Sequence, residues 1–385
     1  MKSLQENRTM KCEVNKTILL FFLWLPAFCI CASASEWQEY EIYVPPVGER
    51  SERPDIYENT VVWQQYIEAD GDHDIYGADI SDIQSPSAFV VDAILNDQNE
   101  PAIYGDTVVW QEYVDGYWNI YGVDLMDPGN VFEIAVYAND EMMPDIWSNL
   151  VVWQEYVDGD WDIFCLDISD PGNEDFFVTP FFEDQTQPAI YENTVIWQDG
   201  LAGDFDIYGT DITDPLNLEH FLVSGFDYDQ QDAAVYGTSV IWDDNFFGDS
   251  DIFVADVFEP QRPIEFAITA ESSAQINPDI NGHIVVWQDD RYGDWDIFGY
   301  NLTTGKEFLI TDIAYDQTHP AIWGKTVVWQ DNRYGDWSIF AAVLDGPEFA
   351  ECAALVDGDI NQDCVVDFED FALMASNWLA SNIIE

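Results

Sequence analysis

At 385 residues and 48% apolar content, the chain is long enough for one large domain and one small one, and too apolar for wholesale disorder. Its 75 acidic residues against 11 Lys and Arg give a formal charge of −64, a field that repels nucleic acid and anionic membranes and draws in cations. Nucleic-acid binding is thereby excluded.

Taken in chain order, Lys2, Arg8, Lys11 and Lys16 precede the apolar run Ile18 to Cys31, which ends at Ala32-Ser33-Ala34. These are the three regions of a secretory signal peptide, and the run falls short of the ~20 residues that span a bilayer. We therefore expect residues 1–34 to be removed and the remainder to be secreted or held at the cell envelope, with no membrane span. Cys12, Cys29 and Cys31 leave with that segment. Cys165 stands alone in a strand-like run, and Cys352 with Cys364 form a disulfide candidate in an oxidising compartment.

From Pro54 to about Leu344 one pattern recurs seven times. It opens Pro-x-Ile, passes through Val-Val-Trp-Gln and ends in Asp-Ile-Tyr/Phe, with Trp63, Trp110, Trp153, Trp197, Trp242, Trp287 and Trp329 marking the register 42 to 47 residues apart. Each copy reads as three strands rich in β-branched and aromatic residues, then an Asp-Pro-Gly-Asn type of turn and a fourth strand, such as Phe132 to Ala135 or His220 to Val223. Units of this length and strand count predict the blades of a closed propeller. The seventh copy lacks a fourth strand after Leu344, whereas Tyr40 to Val44 is a strand without a repeat. An open ring leaves an unpaired edge, so strand 40–44 is expected to complete blade seven.

The motif Pro-Ala-Ile-x-Gly-x-x-Val-Val-Trp-Gln-Asp, met at Pro320 to Asp331, resembles the TolB-like β-propeller repeats of cell-surface and surface-layer proteins. The resemblance implies an all-β fold, a seven-bladed β-propeller of four-stranded antiparallel blades over residues 35–346, in a surface or envelope setting. It implies no reaction, since propellers host binders, scaffolds and enzymes alike.

Residues 347–385 follow another rule. Asp359, Asn361, Asp363, Asp367 and Asp370 place oxygen ligands at loop positions 1, 3, 5, 9 and 12, with the Val365 carbonyl at position 7, a spacing that wraps a calcium ion. Apolar residues from Phe368 to Leu379 then recur at helical intervals. The segment resembles one dockerin type I repeat, a relative of the EF-hand loop, and so implies a small calcium-loop-plus-helix module and a cohesin-like partner. A dockerin normally has two repeats and this chain has one, while Cys364 stands where the loop usually has Gly.

Catalytic signatures are sparse. Only His73, His220, His283 and His319 are present, and there is no Gly-x-Ser-x-Gly elbow, phosphate-cradling loop or Cys-x-x-Cys. Catalytic residues are accordingly not assigned, although any enzyme here would be a glycoside hydrolase or polysaccharide lyase acting through carboxylates. Ahead of successive blades lie Asp97, Asp140, Asp184, Asp229 and Asp316, usually followed by Gln, and the hairpins of the same rim add more Asp. This acidic face, with Arg291 and Arg333 in matching hairpins, is the candidate ligand face; the alternative is that these side chains tie turns and neighbouring blades together. Three readings stay open: a secreted or surface scaffold that binds cations, a polysaccharide or a surface protein, a carbohydrate-active component of a dockerin-bearing system, and a structural surface-layer component.

Overall fold

The structure, a computed structural model, describes residues 37–346 and 349, apart from 171, 180, 181, 202, 246, 247, 259, 261 and 262. The expected signal peptide, the calcium loop from Asp359 to Asp370 and the pair Cys352 and Cys364 lie outside the described residues.

Seven four-stranded antiparallel sheets are formed, one per repeat. In each blade the second strand, such as Thr326–Asp331, is buried along nearly its whole length, because Val-Val-Trp-Gln is apolar on both faces and is covered on both. The apolar clusters lie between blades rather than within them. Trp63 of blade 1 packs with Val328 and Ile339 of blade 7, and Trp329 of blade 7 packs with Val286 and Ile297 of blade 6. All seven register tryptophans are 0% exposed. The core is therefore a ring of seven interfaces around an axis, each centred on one indole.

Closure follows the expected route with a one-residue shift. The strand Glu39–Tyr43 pairs antiparallel with Ser338–Val343, joining Glu39 to Ala342 and Tyr40 to Ala341, so blade 7 draws strands from both ends of the propeller. Just before it, Trp37 donates its indole N–H to the Leu309 carbonyl at 3.2 Å and meets Phe349 edge-on at 5.3 Å.

Neighbouring blades are also latched by polar groups. At the first position of five innermost strands, Gln98, Gln185, Gln230, Gln275 and Gln317 are 0% exposed. The main-chain amides of three of them reach the preceding blade's hairpin, Gln230 N to Phe205 O, Gln275 N to Ser250 O and Gln317 N to Trp295 O, each at 2.7 Å. Cys165 lies buried in the third strand of blade 3, where burial pushes its thiol well above the usual range.

Candidate functional site

The innermost strands carry the chemistry. Each slips register by one bulge just before its Pro-x-Ile, between Glu52 and Asp55 in blade 1 and at the matching place in the other six. The bulged residue is left-handed every time: Arg53 (φ 55°), Glu100 (51°), Met143 (55°), Gln187 (50°), Asp232 (49°), Asn277 (52°) and His319 (51°). A non-glycine residue held there stores on the order of 1 kcal/mol, and persists only where surroundings over-determine it. Here the surroundings are a clamp. In five blades the Gln of Val-Val-Trp-Gln accepts the bulged amide of the next blade: Gln330 from Arg53 at 2.8 Å, Gln64 from Glu100 at 3.1 Å, Gln111 from Met143 at 2.9 Å, Gln154 from Gln187 at 2.8 Å and Gln288 from His319 at 2.9 Å.

These seven side chains ring a cavity of about 280 Å³ at the mouth of the central channel. The backbone repeats and the chemistry does not. Arg53 pairs with Glu100 at 3.3 Å. Burial, helped by Arg53, lowers the His319 pKa to about 4, so its imidazole is neutral. Between the adjacent blades 4 and 5, Gln187 donates to Asp232 at 3.1 Å.

Blade 5 breaks the repeat twice, with Ala233 in place of the Pro and Asp243 in place of the clamping Gln. Asp243 is 4% exposed; it accepts the Asn277 amide as a Gln would, and it is hydrogen-bonded to Asp232. Burial and the neighbouring charge push Asp243 well above the carboxylate range, and burial raises Asp232 as well. Two hydrogen-bonded carboxyl groups, both with raised proton affinity, therefore meet at the channel wall.

Two residues further along the strands lie Asp55, Asp145 and Asp279, where the other blades have Ala. Each accepts its own following amide and that of an Ile in the next blade, as Asp55 does from Ile56 at 2.7 Å and Ile103 at 2.8 Å. Burial, opposed by these amides, raises them to about 8, 6 and 7 respectively, with mutual repulsion across the axis adding to Asp55 and Asp279. At the far end of the same strands, six aromatic rings form a collar. Consecutive centroids lie 4.3 Å apart for Trp323 and Tyr57, 4.6 Å for Tyr57 and Tyr104, 4.7 Å for Tyr104 and Trp147, 4.2 Å for Trp147 and Tyr191, and 4.5 Å for Tyr191 and Tyr236. Trp147 and Trp323, from blades 3 and 7, approach to 6.3 Å across the axis, so the channel narrows to an aromatic throat.

The rim residues expected to face a ligand have structural tasks. Asp97, Asp140, Asp184, Asp229 and Asp316 each accept a hairpin amide of the preceding blade, from His73, Trp118, Trp161, Phe205 and Trp295 at 3.0 to 3.2 Å. Arg291 is held by Asp289 at 2.6 Å and Glu307 at 2.7 Å over the Phe298 ring, and Arg333 by Asp331 and Glu39 over Phe340. Neither guanidinium reaches the channel wall. Among the described residues no group of three or more His, Cys, Asp or Glu is arranged to hold a metal ion. Asp74, Asn119, Asp162, Asp206, Asp251, Asp296 and Ser338, which occupy matching places in the first turn-side residues of the third strands, are all buried. The mouth ring leaves only a weak trace in the sequence: the residue before the Pro varies from repeat to repeat, but so does the one preceding it.

The fold has many solved counterparts. An oligogalacturonate lyase in complex with manganese matches over 82% of this chain and 95% of its own, with a TM-score of 0.59 at 14% identity. A puromycin-hydrolyzing peptidase from Mycobacterium tuberculosis matches over 78% of this chain at TM-score 0.57 and 13% identity, and the chain spans about half (52%) of that protein's length. TolB from Acinetobacter baumannii matches at TM-score 0.47 and 13% identity, over 65% of this chain and 62% of its own. At such identities the likeness concerns fold alone, and it places the chain among the β-propellers. No protein-family model matches the chain, and no curated protein does.

Proposed function

We propose that this protein is a non-catalytic binding propeller of the cell exterior, which takes a cationic end group of a polysaccharide or surface protein into the mouth of its channel. One observation carries the reading. A seven-fold backbone ring, strained in the same way in every blade, presents seven different side chains to one cavity. Packing would be served by repetition, whereas diversity on a fixed frame is what recognition of one asymmetric group needs. Asp232, backed by Asp243, supplies the charge for an ammonium group, and the −64 field concentrates cations at the opening. Calorimetry with a glucosamine hexamer tests this on the full chain. Binding should weaken at least ten-fold in Asp232→Asn and fall with added salt; an unchanged Kd in that variant would remove the mouth from consideration.

Calcium belongs to the same proposal, at the loop of Asp359, Asn361, Asp363, Val365, Asp367 and Asp370, as a stabiliser or attachment point of the chain. Calcium should raise thermal stability in wild type and lose that effect in Asp359→Ala with Asp363→Ala.

A second reading rests on the Asp232 and Asp243 pair alone. Two hydrogen-bonded carboxyl groups whose proton affinities are raised by burial are ordinary apparatus of acid–base catalysis. Incubation with a panel of polysaccharides, followed for new reducing ends or unsaturated ends, would reveal such activity, and Asp243→Asn should abolish it.

A further inference from the structure

The collar at the opposite end of the channel carries an inference separate from the mouth. Six of the seven innermost strands end on Tyr or Trp immediately before a tight turn whose next residue is left-handed: Glu58, Gly105, Ser148, Glu192, Gly237 and Gly324. These rings sit four residues beyond the mouth ring, which at about 3.3 Å per residue puts them ~13 Å away, at the other face. All six remain partly open to solvent. Neighbouring phenols are tied together, Tyr57 to Tyr104 and Tyr191 to Tyr236, which fixes the rings without covering them. Blade 6 has Asn281 at this place, its side chain accepting the Gly324 amide at 3.0 Å, so closure of the propeller does not require an aromatic residue there.

Beside the collar, Tyr57 forms one wall of an open cavity of about 460 Å³. Its other walls include the carboxylates of Glu58, Asp79 and Asp106 and the amide of Asn59. Asp79 already accepts the Ser81 amide at 2.8 Å, leaving Glu58 and Asp106 as the forward acceptors.

We propose that the collar and the cavity beside Tyr57 form a binding site for an uncharged saccharide. The C–H face of a pyranose is apolar and matches a partly exposed aromatic ring, while its hydroxyl groups donate to carboxylates, which accept more strongly than neutral groups do. An array of contiguous rings offers this face to several sugar units in turn. A uronate or sulfated sugar meets Glu58, Asp79 and Asp106 as like charges and is rejected. A purely apolar partner would strip water from the same three carboxylates without hydrogen-bonding them, and is rejected too.

The test is calorimetry on the full chain with three probes: cellohexaose and maltohexaose as uncharged saccharides, and a galacturonate hexamer. At least one uncharged hexamer should bind and quench tryptophan fluorescence, since Trp147 and Trp323 are partly exposed while the register tryptophans are sealed. Its Kd should rise at least ten-fold in Tyr57→Ala and at least three-fold in Asp106→Asn, a surface change that leaves melting unaltered and so reports on binding if Tyr57→Ala unfolds. Leu201→Ser, at an exposed hairpin residue on the mouth face, should bind as wild type does. Failure of both uncharged hexamers to bind, equal binding of the galacturonate hexamer, or an unchanged Kd in Asp106→Asn would each overturn the proposal. None of these outcomes bears on the glucosamine titration of the mouth, so the two sites stand or fall separately.

Discussion

The two ends of the central channel are built from the same seven strands under opposite rules. At the mouth an identical bulge carries Arg, Glu, Met, Gln, Asp, Asn and His, whereas at the throat six of seven places hold an aromatic ring. The throat residues touch one another, and their contacts hold only if neighbours are similar in shape. Mouth residues are held through their backbone amides, so the bulge stays the same while the side chain on it changes from blade to blade. Where a fold fixes a position through its main chain, the side chain is free to be chosen for function.

Opening the ring tests this contrast most severely, because both ends exist only as closed circles. Deleting Trp37 to Val44 bares the edge of Ser338–Val343 and removes the indole packed on Phe349. The variant should aggregate or be cut by protease under conditions where the intact protein resists both, as measured by sedimentation and limited proteolysis. A variant that melts like the parent would show that neither end depends on closure.

Substitutions at the two ends should then diverge. Trp323→Ala should cost about 2–3 kcal/mol, below the value for a sealed core indole because the ring is partly exposed, while Met143→Ala should fall within about 0.5 kcal/mol of wild type. Urea melts measure both. Equal losses would erase the distinction between a packed throat and a liberated mouth.

Asp243→Gln sharpens the contrast further, since it puts into blade 5 the Gln that the other six blades carry at this place. Relieving two adjacent carboxyl groups, one of them buried, should stabilise the protein by about 1 kcal/mol. The thermal midpoint should rise accordingly, and a fall would mean that the Asp pair is itself a structural clamp.

A further expected effect is on pH dependence. Asp55, Asp279 and Asp145, at about 8, 7 and 6, lie above the ordinary carboxylate value of about 4, so the folded state binds protons more tightly than the unfolded chain. Their contribution to stability is fully present below about pH 4 and is lost as pH rises through these values. Melting temperature should increase between pH 8 and pH 5, and the slope should flatten when all three become Ala, the residue at that place in the remaining blades. An unaltered slope would assign the dependence to the other raised carboxyl groups, such as Glu141 and Asp243, and to the general excess of acids.

Most of the frame was legible from sequence, and for a physical reason. Trp329 and its six equivalents are fixed by interface packing, and the strands Phe132–Ala135 and His220–Ser224 by alternation and flanking turns, so spacing alone exposes them. The unpaired strand after the signal-like segment was legible because a propeller cannot leave an edge open. The mouth was not, because its residues share a backbone conformation and no chemistry, and a search for recurring residues reads Arg53, Met143 and His319 as noise. The rim was open to two readings for the converse reason: Asp184 and Asp316 recur because a hairpin amide needs an acceptor there, and recurrence alone does not separate that task from a shared ligand.

The pairing of Glu39 with Ala342 has a consequence for how the chain comes to be folded. Six blades are drawn from contiguous stretches and can form in the order in which they are synthesised, each against the one before. The seventh cannot, because its outer strand is made before the first blade and its partner strand only after the sixth. Such a long-range pairing is entropically the slowest contact in the molecule, so a six-blade arc with two open flanks precedes the native ring. During that interval the exposed strand edges are the point at which two copies can join instead of one closing, and the time to closure sets how concentrated the newly made chains can safely be.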